Sequence, residues 1–591
     1  MITTKSDAIW QQLPPPVVPS PVFALAAGRG GVWAGGVGGI ARYAVSEVQS
    51  AWEPGVTSLP LSAVTTLLAP YGVVLAGGSE GIAYSYNNGK SWRRAQLEDS
   101  AASITALAAS PNFAGDHTAI AATLENGILR TNDGGQTWTN ASFGLESLEV
   151  TALTWVDSTT ILAATGTGIY RSRDAGRGWK RLYLDDEAEI EALTALPDGT
   201  LLAALANGGL LRSRDDGRRW TLEDPLARSA QALSLFVTQS GTLLLGTLEH
   251  GLLRSNDAGA TWQVVHERAV HMCAQRDGYI YAGTDTGVSL SLDDGLTWNE
   301  LPCPPVHDLR ILLARDGHLL LAGPYSGIMQ ATGASDWEPL QDVPQPLTAL
   351  AFAPDNGLFL SSPDGLVRFS LESGEWQILI DGQAGQVAYI TMRQEGTSQH
   401  IWAASADGTR LLHSIDNGAS WQQLPAPFGV LLVVALQATT DRLLAATYDP
   451  RQNQVCFWNS TDGGKTWTRG MEATTNWPLV ATCSEPAALS VGNILFIEQA
   501  AGQWRKVTVG SDSGAIRRVI GTRLAGKRVL LALTTTGIQR SEDLGETWQQ
   551  ENASLPIERI VDIAADGETL FALLSGGQVW KRALQKEREL V

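Results

Sequence analysis

Cysteine, long apolar runs and positive charge are all scarce in this sequence, and each shortage narrows what the protein can be. The 591 residues include four cysteines, Cys273, Cys303, Cys456 and Cys483, set far apart, with no C-x-x-C pair and no companion histidines at ligand spacing. That pattern argues against a zinc site, and no metal or other cofactor is predicted. No stretch approaches the roughly 18 apolar residues that a membrane span needs. Lys+Arg 42 against Asp+Glu 61 leaves a net charge of -19, which repels phosphate backbones and anionic bilayers, so neither nucleic acid nor membrane is predicted as a partner. The one basic run is the tail around Lys581, Arg582, Lys586 and Arg588. The opening MITTKSDAIWQQLPPP has neither a basic n-region nor an apolar h-region, so a cytoplasmic location is predicted.

What is abundant is glycine, proline and tryptophan, at 61, 26 and 20 residues. They point to many short strands joined by tight turns, because helix interiors exclude Gly and Pro. One octapeptide recurs nine times: SYNNGKSW at 85–92, TNDGGQTW at 131–138, SRDAGRGW at 172–179, SRDDGRRW at 213–220, SNDAGATW at 255–262, SLDDGLTW at 291–298, SIDNGASW at 414–421, STDGGKTW at 460–467 and SEDLGETW at 541–548. Each follows an apolar run, a short Gly-containing turn and a second apolar run, the grammar of a β-hairpin. Trp52, Trp337, Trp376 and Trp504 follow the same hairpin without the intact octapeptide, and Trp10 opens a WQQLP like that at Trp421. The fourteen tryptophans step by 36 to 46 residues, so the repeat is a four-stranded unit, A to D, with the octapeptide between C and D.

The residue types suit a turn. Asp133 can accept N–H groups of its own turn, Gly135 can take a positive φ, Thr131 and Thr137 can bond across it, and Trp138 offers a large face to bury against the next blade. Asn87, Asp133, Asp174, Asp215, Asp257, Asp293, Asp416, Asp462 and Asp543 are therefore expected to be structural. The pattern S-x-D-x-G-x-T-W resembles the Asp-box, or BNR, repeat of sialidases, sortilin-type receptors, two-propeller xyloglucanases and photosystem II assembly propellers, over essentially the whole chain. In those families the box lies on the face away from the active site, so the resemblance implies a β-propeller fold and no activity.

Fourteen repeats predict an all-β chain of two seven-bladed propellers, since rings of four to eight blades pack around a narrow channel. The first would span 22–304 and the second 305–591. The intact octapeptide at 291–298 keeps Trp298 in the first ring, which leaves the last repeat without a D strand. An open edge is a liability, so the N-terminal strand 1–13 is expected to close the second ring. The alternative pairs Trp10 with the seventh repeat.

Chemistry is harder to find. The sialidase Arg-Ile-Pro signature is absent. Arg130, Arg171, Arg212, Arg254 and Arg540 recur just before the octapeptide, and a periodic residue belongs to the repeat, so they are expected as outer-strand surface charges paired with neighbouring acids. Two-propeller xyloglucanases place one acidic residue from each ring in the cleft between them, and GTDTGVSL at 283–290 resembles their Asp-Gly-Gly turn, which makes Asp285 the catalytic candidate. The second glycine and the following aromatic are missing, and Asp285 equally suits an ordinary B–C turn. B–C turns such as LENG at 124–127 and ANG at 206–208 are nearly minimal; YDPRQNQ at 448–454 is the longest and a candidate protruding hairpin. LDDEAEIEAL at 184–193 is an acidic loop able to bind a basic partner or cation. The eight histidines form no recognisable catalytic or metal arrangement. The sequence thus favours a non-catalytic scaffold for protein partners, with a carbohydrate-binding protein or glycoside hydrolase using the inter-propeller groove as the alternative.

Overall fold

The computed structural model describes residues 10–584 apart from 45–50, 55–58, 62, 99–101, 185–188, 224–230, 333–335, 354, 356, 382–386, 396–397, 430, 476–479, 501–502, 511–513, 525, 552–554, 556–559 and 576. Fourteen sheets built on antiparallel four-stranded units follow one another along the chain, all but one of them from consecutive strands. They form two compact units, Val17–Asp308 and Met1–Pro16 with Leu309–Val591. Each unit is a seven-bladed β-propeller.

The fourth N-terminal blade shows how a blade is built. Its strands are Val150–Trp155, Ile161–Thr165, Gly168–Ser172 and Lys180–Leu184, paired in that order. Strand B, ILAAT, is buried at every residue because neighbouring blades cover both its faces, and strands covered on both sides read as unbroken apolar runs. The small alanines let blades approach. In strand A the register shifts between Val150 and Ala152, and the Thr151 hydroxyl donates to the Ile190 carbonyl of the next blade at 2.5 Å. Thr105 does the same to Val150 at 2.6 Å, and Thr348 to Val387 at 3.2 Å.

Each ring closes by a first-to-last contact. In the N-terminal propeller the Val22 amide donates to the Thr284 carbonyl at 2.9 Å. The connecting residues stay with this unit: Val306 accepts from the Gly38 amide at 2.7 Å and is fully buried. In the C-terminal propeller the Leu312 amide donates to the Asp562 carboxylate at 2.9 Å. There the outermost strand of the last blade is Gln11–Gln12, with Gln11 opposite Lys581 and Gln12 opposite Trp580. Trp10 is buried, packs with Leu531, Leu533 and Ile538, and donates its indole N–H to the Glu551 carbonyl at 3.0 Å.

Two details depart from the simple repeat. Gln96–Leu97 adds a fifth strand to the third blade, running parallel to Thr137–Trp138. A single α-turn, Phe113–Asp116, interrupts an A–B connection. Among the described residues no helix is long and apolar enough to cross a membrane.

Candidate functional site

The octapeptide turn is the most repeated polar arrangement in the molecule. In the turn at 255–262 the Ser255 hydroxyl donates to Asp257 Oδ1 at 2.7 Å and accepts the Gly259 amide at 2.8 Å. The Thr261 amide and hydroxyl donate to Asp257 Oδ1 and Oδ2 at 2.9 and 2.6 Å, and the Trp262 indole donates to the Gly259 carbonyl at 3.0 Å. Led by the Thr261 hydroxyl, these bonds hold the Asp257 carboxyl at about 2. Asp416 and Asp462 are lowered to about 2 with a hydroxyl first among the causes, and Asp293 to about 2 with the Thr297 amide first. At Asp133 burial opposes ionisation, but the Thr137 and Thr131 hydroxyls and the backbone outweigh it and the carboxyl is still lowered. Asp174 and Asp543 behave alike, and Asp215 is lowered chiefly by the Arg219 amide. Asn87 does the same work without charge, accepting the Ser91 amide at 2.9 Å.

The glycine is required twice over. Gly135 has φ +101°, and a Cβ there would lie 2.5 Å from Leu75 of the preceding blade. The fourth residue of the turn is left-handed as well, even where it is Ala175 (φ 57°) or Leu544 (φ 56°). Trp138 packs with Leu75, Ile82 and Tyr84 of the preceding blade, and Trp179 with Ile120 and Ile128 of its own preceding blade. The tryptophan therefore faces backwards, not towards the next blade as the sequence suggested, because strand D returns along the side where the previous blade's B and C strands lie.

The recurrent arginines meet the sequence expectation in part, since Arg171, Arg212, Arg254 and Arg540 pair with Asp216, Glu223, Asp294 and Glu551. They are not outer surface charges: the side chains of Arg171, Arg212, Arg254 and Arg540 are 13%, 4%, 12% and 6% exposed. Arg130 Nε donates to the Ala175 carbonyl at 3.0 Å, Arg171 Nη1 to the Asp216 carbonyl at 2.7 Å and Arg254 Nε to the Asp294 carbonyl at 2.9 Å. Each acceptor is the left-handed fourth residue of the following blade's turn. Arg212 instead takes Glu223 in a fork at 2.8 and 2.9 Å. Arg130, Arg171 and Arg254 therefore fasten one blade to the next, whereas Arg212 and Arg540 pair with Glu223 and Glu551 of their own blades.

Asp285 is exposed in the turn between Tyr279–Thr284 and Gly287–Ser291. The Thr284 hydroxyl donates to the Gly287 carbonyl at 3.1 Å and accepts the Thr286 amide at 3.3 Å. The same two bonds are made by Thr165 around Gly166 and by Thr534 around Thr535, so this turn geometry does not depend on an aspartate. The charge of Asp285 reaches His266 and His271, both of which burial pushes down. The other carboxylate acting on His266, Glu300, is paired with Arg268 at 3.0 Å.

The remaining sequence candidates fall out as follows. The 448–454 segment is a regular hairpin whose strands run through Asp449 and Gln454, tied by Tyr448 Oη to Asn453 at 2.9 Å. Of the acidic run 184–193, residues 185–188 lie outside the described residues. The four cysteines are free thiols, and among the described residues no group of three or more His, Cys, Asp or Glu could hold a metal. One pair escaped sequence reading: His400 Nδ1 and His413 Nε2 lie 3.0 Å apart, with His413 stacked on Trp402 at 4.8 Å. Burial, then His400, Lys465 and Arg393, push His413 down to about 4. Cross-strand register, which brings Trp402 opposite His413 and Arg393 opposite His400, creates the cluster.

No family model matches the chain, and neither does any curated protein. Solved structures do. The chain is similar to a GH74 enzyme of Niastella koreensis at 15% identity, TM-score 0.67, over 98% of this chain and 100% of that one. It is similar to the GH74 xyloglucanase of Xanthomonas campestris at 16% identity, TM-score 0.64, over 98% and 100%. PorZ of Porphyromonas gingivalis, a bacterial surface component of the type-IX secretion system, matches at 14% identity, TM-score 0.52, over 97% and 86%. At such identities the likeness concerns the fold, and the chain is an all-β protein of two seven-bladed β-propellers whose fold neighbours include both glycoside hydrolases and a secretion-system component.

Proposed function

We propose that the chain is a non-catalytic scaffold whose propeller faces bind protein partners, in the cytoplasm and without nucleic acid or membrane. The observation that carries this reading is the state of the carboxylates. A glycosidase of the usual kind needs two carboxyl groups about 5 to 10 Å apart, one of them held protonated. Here the recurrent aspartates are held ionised by their own turns, four of them at about 2, Glu300 pairs with Arg268, and the two carboxyls that burial pushes up, Glu191 and Asp562, belong to different propellers. The nearly minimal B–C turns supply little wall for a substrate. Free thiols suit a reducing compartment.

The competing reading, glycan binding or hydrolysis, is motivated by the GH74 likeness. Incubation of the full chain with xyloglucan, β-glucan and sialoside substrates should give no turnover, while affinity purification from the native host should recover a partner at fixed stoichiometry. Turnover that Asp285→Asn abolishes would replace the scaffold with an enzyme.

A further inference from the structure

The turns of the fourth and fifth N-terminal blades differ from their neighbours in charge. Arg173, Arg177, Lys180 and Arg181 in one, and Arg214, Arg218 and Arg219 in the other, are all exposed. The turns at 131–138, 255–262 and 291–298 carry no lysine or arginine. What every blade repeats is needed for packing; these side chains are not repeated, so packing does not account for them. Within 171–181 and 212–220 nine Lys and Arg stand against three Asp, in a chain whose net charge is -19.

The two turns form one surface. Arg173 Nη2 and Arg171 Nη1 both reach Asp216 Oδ2, at 2.6 and 2.8 Å. The other two aspartates are consumed locally: Asp174 accepts the Ser172 hydroxyl at 2.7 Å, and Asp215 the Arg219 amide at 2.8 Å. Arg181 pairs with Glu146. Lys180, Arg214, Arg218 and Arg219 make no ion pair among the described residues. Like charges gathered in this way repel one another, a cost to the folded state.

We propose that this face of the N-terminal propeller docks a short acidic segment of a partner protein. The inference rests on the scaffold reading and says where the partner binds and by what chemistry. Guanidinium groups dominate the patch, and their planar forks match carboxylates in pairs. Screening confines the attraction to about 8 Å at physiological ionic strength. A short acidic segment therefore meets only the patch, whereas a long nucleic acid or a charged bilayer also meets the acidic remainder of the chain.

The test is fluorescence anisotropy with a labelled Glu/Asp-rich peptide of about ten residues, the size of the patch, and a neutral peptide of the same length, at low and physiological salt. The acidic peptide should bind the full chain in a salt-dependent way. Arg214→Glu combined with Arg218→Glu should weaken it about tenfold or more. Arg451→Glu combined with Lys527→Glu, at exposed positions of the C-terminal propeller, should leave it unchanged. Equal loss in both variants, equal binding of the neutral peptide, or tighter binding of a DNA duplex or of phosphatidylserine vesicles would overturn the proposal. Host partners that remain bound to the Arg214/Arg218 variant would sink this docking face and leave the scaffold reading standing; glycan turnover, measured separately, would sink the scaffold reading itself.

Discussion

The two propellers fasten the same architecture differently. Six of the seven N-terminal blades carry the octapeptide turn, but only three of the C-terminal ones do. The C-terminal ring shows further devices, two of them in blades that do carry the turn. Its A and B strands lengthen, as in Val387–Glu395 with Ser398–Ser405 and Ile516–Leu524 with Lys527–Thr534. Largely buried charge pairs bridge its blades, Arg442 with Glu498 and Arg582 with Glu551, each at 3.1 Å, while Arg540 meets Glu551 from within the same blade at 3.1 Å. The N-terminal ring combines hydrogen bonds local to each turn with arginine bonds to the next blade's turn, as from Arg171 to Asp216. The C-terminal ring relies on groups that need their partners, because removing one member of a buried pair strands the other. The turn is thus one way of pinning a blade to its predecessor, and the ion pairs of Arg442 with Glu498 and of Glu551 with Arg582 join turn-bearing blades to neighbours that lack it.

The sharpest way to break this comparison is at the N-terminal strand. Deleting residues 1–13 removes Trp10 from the last C-terminal blade; truncation of a buried Trp alone costs about 3–5 kcal/mol, and an open edge follows. Hydrogen exchange should show loss of protection at 569–583, with 279–290 unchanged. The reverse pattern would mean that Trp10 serves the N-terminal ring.

A smaller effect is expected in the octapeptide turn. Asp133→Ala should lower the stability of the N-terminal propeller by about 1.5–3 kcal/mol, the usual net contribution of hydrogen bonds to a charged group. Protein-partner binding should survive below the melting point. An unchanged melting curve with partner binding lost would make Asp133 a site residue.

Acid should reach both rings through histidines that burial pushes down, His266 and His271 in the N-terminal ring and His400 and His413 in the other. His413, at about 4 in the folded chain, is lowered from an ordinary value near 6.5. Its contribution to the C-terminal ring is therefore complete above about 6.5 and lost as pH falls towards 4. The groups facing it are His400, Arg393, Glu395 and Lys465, with Asp441 facing Arg393. His413→Gln should flatten the dependence of melting temperature on pH in that window; an identical slope in the variant would refute the assignment. Asp257 and Asp293 in the N-terminal ring, and Asp416 and Asp462 in the other, are lowered from 3.8 to about 2. Stability from these carboxylates is present above about 4 and lost as pH falls through 2.

The smallest change is a gain. Leu544 is held at φ 56° in the last octapeptide turn, where Gly134 and Gly463 occupy the same place in theirs. Leu544→Gly should stabilise the C-terminal ring by about 0.5–1 kcal/mol, since a side chain at positive φ costs about 1–2 and glycine's extra chain entropy returns part of it. Its carbonyl, which accepts from Arg505, is unaffected. A drop in melting temperature would show that the leucine packs rather than strains.

The sequence by itself determined the architecture, because a repeat of Asp, Gly and Trp at fixed offsets states a turn whose bonds are all local. Ser255, Asp257, Gly259 and Thr261 satisfy one another within seven residues, so their spacing displays their geometry. The alternation of apolar runs and short turns likewise shows four strands per unit, and the fourteen tryptophans that recur every 36 to 46 residues show the number of blades. What the tertiary structure decided is everything that crosses from one blade to another. Only packing sets Trp138 against the preceding blade, sends Arg171 to the Asp216 carbonyl, lays Gln96–Leu97 beside Thr137–Trp138 and brings His400 to His413. The basic surface escaped the sequence for the same reason: its two halves are short turns some forty residues apart in the chain, and neither is a run of charge until two neighbouring blades place them side by side.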